Sequence, residues 1–143
     1  MFVGEFVHSV DSKGRLVLPS KYRDQLDGGC VITKGQDRCL YVFSIPRWEV
    51  EMERVRGLPR TDRKFRNYAR AFFAGASNQE VDGQGRIQIP PPLRSYAGLE
   101  RDVVVAGVGE WVELWDVNTW QEVTVEADSY YADIEEALSD QGI

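Results

Sequence analysis

Val10-Asp11-Ser12-Lys13-Gly14-Arg15-Leu16-Val17-Leu18-Pro19 returns 71 positions later as Val81-Asp82-Gly83-Gln84-Gly85-Arg86-Ile87-Gln88-Ile89-Pro90. The likeness continues outward. Arg23 matches Arg94 at the same offset. With one residue inserted, Val31-Ile32 matches Val103-Val104, Gly35 matches Gly107, Phe43 matches Trp115 and Trp48 matches Trp120. A fixed period of this length marks two similar structural units. In each copy Asp-x-x-Gly separates β-rich runs, a hairpin signal: aspartate can hydrogen-bond the backbone just after it, and glycine accepts positive φ. The chain is expected to reverse at 11–14 and 82–85, with Asp11, Gly14, Asp82 and Gly85 shaping the loops. Beyond the turns, Leu16 and Leu18, like Ile87 and Ile89, alternate with Arg15 and Val17, or with Arg86 and Gln88. That period of two describes strands with one buried face, so Arg15 and Arg86 point away from the core.

Pro19 and Pro90 end these strands. Pro19 to Leu26 before Gly28 reads as a short helix with a proline start and glycine stop, and Pro90 to Leu99 repeats it. Strands are predicted over Cys30–Lys34 and Cys39–Phe43, around a Gly-Gln-Asp-Arg turn, and over Val103–Ala106 and Trp111–Trp115, around Gly107–Glu110. Ser44 caps a helix with Pro46 in its first turn and Trp48, Val50 or Met52, and Val55 as apolar positions. Asn118 is expected to cap the equivalent helix carrying Trp120 and Val123. After the break at Gly57-Leu58-Pro59, Thr61 opens a helix with Phe65, Tyr68, Ala69, Phe72 and Phe73 on one face. Arg63, Lys64, Arg66 and Arg70 lie mostly on its other side. The division is therefore a first unit over 1–56, a connecting helix within 57–76, and a second unit over 77–143 ending in an acidic helix. In that tail Tyr130, Tyr131, Ile134 and Leu138 recur at helical spacing, predicting a terminal helix packed on its own protein. Each half, roughly β-β-α-β-β-α, is too small to close a good core alone. The expected fold is mainly β with flanking helices (α+β), a pseudo-twofold barrel made from both repeats.

The 143 residues, 43% hydrophobic and 28% charged with 6 prolines, suit one folded domain or two small ones and exclude disordered and collagenous classes. No run of 18 apolar residues occurs, and Met1-Phe2-Val3-Gly4-Glu5 reaches a charge at once, which argues against membrane insertion and secretion. Cys30 and Cys39 are expected as reduced thiols in a cytoplasmic protein. His8, the one histidine, alternates with Phe6 and Val10 and reads as a packed or edge residue. No nucleophile triad, phosphate-binding glycine loop or zinc signature is present, so no cofactor, metal or small-molecule substrate is expected. Asp11 and Asp82 form a pseudo-symmetric carboxylate pair, the remote hydrolase reading. An arginine four residues after each, and their place at hairpin tips, argue for exposed, ionised groups.

The net charge of -6 conceals an uneven distribution: residues 1–75 carry 14 Lys and Arg against 9 Asp and Glu, the remainder 3 against 14. A local basic face steers a polyanion, so the N-terminal half is the candidate for nucleic acid. Lys13 and Arg15 suit phosphate attraction and a bidentate arginine–guanine contact. The competing reading is an Asp11–Arg15 ion pair that only clamps the turn. Both can hold, because an aspartate that orients the guanidinium reduces the entropy lost in presenting it. Lys21, Arg23 and Lys34 are candidate auxiliary cations near the first hairpin. The basic face of the 61–73 helix meets either DNA or, the favoured reading, the acidic half of a neighbouring subunit.

Gly4-Glu5-Phe6 before the first turn, two Asp-x-x-x-Arg motifs about 70 residues apart, and a proline after each closely resemble the MraZ family of bacterial transcriptional regulators, over nearly the whole chain to about Tyr130. The resemblance implies two AbrB-like half-domains, here 1–56 and 77–143, in a swapped-hairpin double-split barrel. It also implies ring assembly and binding to repeated operator boxes upstream of the division and cell-wall gene cluster, through the N-terminal loop. Asp11, Lys13, Gly14 and Arg15 match the family pattern. Asp82, Gly85 and Arg86 match too, but Gln84 replaces the lysine, leaving that loop one cation and Arg86 a secondary role. The expected partners are double-stranded DNA and further copies of the chain, in the cytoplasm and at the nucleoid. The alternative is a non-catalytic ring-forming scaffold whose loops bind protein.

Overall fold

The computed structural model describes residues 1–143. Its strands are β1 (Phe2–Ser9), β2 (Arg15–Val17), β3 (Cys30–Lys34), β4 (Leu40–Ser44), β5 (Ser77–Gln79), β6 (Arg86–Gln88), β7 (Asp102–Gly109) and β8 (Val112–Asp116). The helices are α1 (Ser20–Arg23), α2 (Ile45–Arg56), α3 (Arg63–Ala74), α4 (Pro91–Ala97), α5 (Val117–Asp133) and α6 (Glu135–Asp140). Six strands make an open antiparallel sheet in the order β1-β7-β8-β4-β3-β5, and β2 pairs with β6 in a separate two-stranded ribbon. The result is mainly sheet with flanking helices, as expected of an α+β chain.

The pairing follows the repeat. β1 to β4 correspond to β5 to β8. β1 pairs along its length with β7, and β5 pairs with β3, so the first strand of each half lies on the third strand of the other. β4 with β8 and β2 with β6 join equivalent strands across the same pseudo-twofold relation. β1 and β5 are the sheet's two edges, and hydrogen bonding does not join them.

The four central strands are buried on both faces. On one face Ile32, Leu40, Val42, Val103, Val105 and Leu114 meet the inward residues of the ribbon, Leu16, Leu18, Ile87 and Ile89, together with Tyr22 of α1 and Leu93 of α4. Burying each of these aliphatic side chains contributes roughly 1.5–3 kcal/mol. On the other face Phe43 packs with Val55 of α2 and Phe72 of α3. Val104, Ala106 and Trp115 pack there with Trp120 and Val123 of α5. The ribbon and the α2–α3 pair therefore cover opposite faces of one sheet.

Several local expectations are corrected. The helix after Pro19 holds α-geometry only over α1, then tightens into a 3-10 turn at Asp24–Leu26. Asp116, not Asn118, caps α5, its carboxylate accepting from the N–H groups of Asn118 and Thr119. The helix expected from Thr61 starts at Arg63, capped by Asp62, whose side chain accepts from Lys64 N–H. In both, an aspartate offers a charged acceptor to the orphan N–H groups of the first turn. In α2, Val50 is exposed, while Glu51 is buried and paired with Arg47 and Arg54. The terminal helix does not pack on its own protein. Only the first turns of α5 find apolar partners on β7 and β8, and Tyr130 and Tyr131 beyond them are exposed. No helix is long and apolar enough to cross a membrane.

Candidate nucleic-acid interface

Both Asp-x-x-Gly-Arg loops close in the same way. Asp11 N–H donates to Arg15 O at 2.9 Å and Gly14 N–H to Asp11 O at 3.0 Å, with Gly14 at φ 80°. The carboxylate completes the turn: Asp11 Oδ1 accepts from the backbone N–H groups of Lys13 and Arg15, both at 2.9 Å, and Oδ2 accepts from Arg15 Nε at 2.7 Å. In the second loop Asp82 Oδ1 accepts from Gln84 and Arg86 N–H at 2.9 Å, and Oδ2 from Arg86 Nε at 2.8 Å. The Arg15 backbone N–H, its guanidinium and the Lys13 N–H hold the Asp11 carboxyl at about 2. The matching donors, led by the Arg86 backbone N–H, push Asp82 down likewise. Both aspartates are ionised clamps engaging the Nε edge of their arginines, which leaves the forked Nη ends for another acceptor.

The ribbon sets the direction of those ends. Its register pairs Arg15 with Gln88, Leu16 with Ile87 and Val17 with Arg86. Leu16 and Ile87 face the core, so Arg15, Val17, Arg86 and Gln88 share the outward face. Arg15 and Arg86 are diagonal neighbours, with Cα atoms about 7–8 Å apart. Antiparallel pairing sends the two loops to opposite ends of the ribbon. Asp11 and Asp82 are thus held apart, each locked to its own arginine, and share no cleft in which two carboxylates could act on one substrate.

Each loop also receives an arginine from the other half. The guanidinium of Arg94 presses on Gly14 so closely that a Cβ there would lie 2.0 Å from Nη1. At Gly85 a Cβ would lie 2.3 Å from Nε of Arg23, which donates to Leu18 O at 3.0 Å. Leu18 N–H donates to Gly85 O, and Ile89 N–H to Gly14 O, both at 2.8 Å, tying each strand end to the opposite loop. The first loop thus gathers Lys13, Arg15 and Arg94, and the second Arg86 and Arg23. Gln88 further donates from its amide to the Lys13 carbonyl. Arg94 stands outside both loop motifs, and its repeat match to Arg23 is the one sign in the sequence that it serves a loop.

The auxiliary cations fall elsewhere than expected. Arg23 and Lys21 stand on α1 at the second loop's end of the ribbon, not the first, with Lys21 Nζ 5.7 Å from the Phe6 ring centroid. Lys34 lies 5.4 Å from the Tyr96 ring centroid, away from both loops' hydrogen-bond networks. His8 is half-buried on β1; burial, then the charge of Arg23, lowers its pKa. Cys30 and Cys39 are buried free thiols, and burial pushes Cys30 up to about 12. No three His, Cys, Asp or Glu side chains are grouped to hold a metal ion.

A family model described as "MraZ protein, putative antitoxin-like" matches residues 1–70 and again 72–141, once per repeat. The chain belongs to the MraZ family. Curated relatives agree along almost the full length. A protein of Kineococcus radiotolerans is 48% identical over 138 residues, 96% of each chain, and one of Salinispora tropica is 48% identical over 96% of this chain and 97% of its own. A Parafrankia relative is 49% identical over 140 residues, 98% of this chain and 93% of its own. Each of these MraZ proteins is named a transcriptional regulator.

Proposed function

We propose that this chain is a DNA-binding transcriptional regulator that reads a duplex with the outward face of the β2–β6 ribbon. The relatives' name supports the regulator class. One observation supports the surface: twin aspartate clamps set Arg15 and Arg86 side by side on a two-stranded ribbon with their forked ends unused. B-DNA's major groove, about 12 Å wide, admits such a ribbon, and arginine forks match the acceptor edge of guanine. In this reading Arg15 reads a base edge, Lys13 at the exposed loop tip holds phosphate, and Arg86 contacts the adjoining step. Lys21, exposed on α1, adds an unspecific charge at the far end. Asp11, Gly14, Asp82 and Gly85 position these cations without touching DNA.

The finer features come from the family likeness. The strand exchange between residues 1–56 and 77–143 fits an AbrB-type swapped-hairpin double-split barrel, with α3 in the connecting segment. One ribbon offers few contacts, so several copies in a ring reading successive promoter boxes, upstream of the division and cell-wall genes, gain through effective concentration. The site of action is then the chromosome in the cytoplasm.

The test is fluorescence anisotropy with duplexes from upstream of the protein's own gene, across a salt series. Binding is expected to fall steeply with added salt. Arg15→Ala should weaken it by about 1–3 kcal/mol and relax preference at one base position, whereas Lys13→Ala should weaken all sequences alike and reduce the salt slope by about 1. Salt-insensitive binding, or none, returns the chain to the scaffold reading.

A further inference from the structure

Between the end of α2 and α3 lies a groove of about 290 Å³ with Leu58, Phe65 and Phe73 on its floor and Arg60, Arg66 and Arg70 on its rim. None of these arginines, nor Arg63 beside them, is within ion-pairing distance of a carboxylate. Arg66 donates to the Arg60 carbonyl and Arg70 to Asn67 Oδ1, both neutral acceptors. A cationic rim around an aromatic floor is suited to a ligand that is both acidic and apolar.

The same chain carries such a segment. Beyond Thr124, α5 and α6 display Glu126, Asp128, Asp133, Glu135, Glu136 and Asp140, and no lysine or arginine follows Arg101. Tyr130 is 65% exposed and Tyr131 84%, on a helix that finds no partner past its first turns, and Ile134, at the break between α5 and α6, is 38% exposed. We propose that the α2–α3 groove receives this acidic segment from a second copy of the chain, its carboxylates meeting Arg60, Arg66 and Arg70 while tyrosine rings and Ile134 lie on the apolar floor. The proposal rests on the self-association in the reading above and assigns its contact. DNA is disfavoured as the occupant, because α2 and α3 cover the sheet face opposite the ribbon and the floor is apolar. Groove and segment are different surfaces, so the contact is head-to-tail, and each copy has one of each to pass on.

The experiment measures the mass of the full-length protein by light scattering, alongside two charge-reversed variants. One carries Arg66→Glu with Arg70→Glu; the other carries Glu126→Lys, Asp133→Lys and Glu136→Lys. Each variant alone should fall from the assembled mass to the 16.3 kDa monomer. An equal mixture of the two should recover a species of at least twice that mass, and both should bind a short single-site duplex within about twofold of the unmodified chain. Either folded variant keeping the assembled mass overturns the contact. So does an arginine variant that stays assembled yet loses duplex binding, which would make the groove a DNA surface. Should circular dichroism show the arginine variant unfolded, the segment variant decides alone, since its three positions are exposed. An unmodified chain that remains monomeric sinks self-association itself, while DNA affinity and base preference left unchanged by Arg15→Ala instead sink the ribbon reading and leave this contact standing.

Discussion

Asp11 does two jobs with one carboxylate: Oδ1 completes the turn and Oδ2 aims Arg15. Its folded pKa of about 2 lies below the ordinary 3.8, so its stabilising effect is fully present above that value and is lost as pH falls towards 2. An NMR titration of the Asp11 carboxyl should give a midpoint near 2 and release the Lys13 and Arg15 amides at the same pH; a midpoint near 3.8 would mean the clamp is absent in solution. Gly14 is equally constrained. It has φ 80°, and a Cβ would meet both the Arg94 guanidinium and, at 2.9 Å, the Ile89 carbonyl. Gly14→Ala should destabilise by about 1–3 kcal/mol, from left-handed strain joined to a backbone clash, and thermal melting reads the loss.

At the scale of the element, the ribbon is short and draws its order from what lies beneath it. Leu16 and Ile87 are at most 1% exposed, and three paired residues per strand would not stand alone in water. Ile87→Ala should therefore cost about 2–5 kcal/mol in chemical denaturation, though no residue of the proposed DNA contact has changed. At a temperature where the variant remains folded, its affinity for duplex should stay close to that of the unmodified chain. A large loss of affinity without a loss of stability would show that Ile87 itself touches the ligand. The second loop is a complete copy of the first in geometry but lacks the lysine, with Gln84 in its place. Gln84→Lys should accordingly raise duplex affinity and steepen the salt dependence by about one unit of slope.

For the whole molecule the decisive fact is that neither repeat keeps its own first strand. β1 has eight partners on β7, and β3 depends on β5 for one of its two neighbours. A fragment of residues 1–76 would leave the β1 partner strand, half the ribbon and Ile87, Ile89 and Leu93 of the shared core behind. It should be unfolded by circular dichroism, and the full chain should melt in one cooperative transition with coincident probes. A fragment that folds, or two resolved transitions, would show that the halves are separable.

The two hairpin loops, the outward aim of Arg15 and Arg86 and the α+β class were all legible in the amino-acid order. They depend on partners at most four residues apart and on the two-residue period of a half-buried strand, and the repeat displays them twice. The exchange of first strands, the approach of Arg94 to Gly14 and of Arg23 to Gly85, the displacement of Lys21 from the first loop and the unpacked acidic segment were not legible. Each is set by which strand lies beside which after the halves interleave. That choice is made by burial of the common core rather than by any local preference. Side-chain chemistry near each turn was thus determined by the sequence alone, whereas which cations stand together was decided only when two incomplete halves closed over one hydrophobic interior.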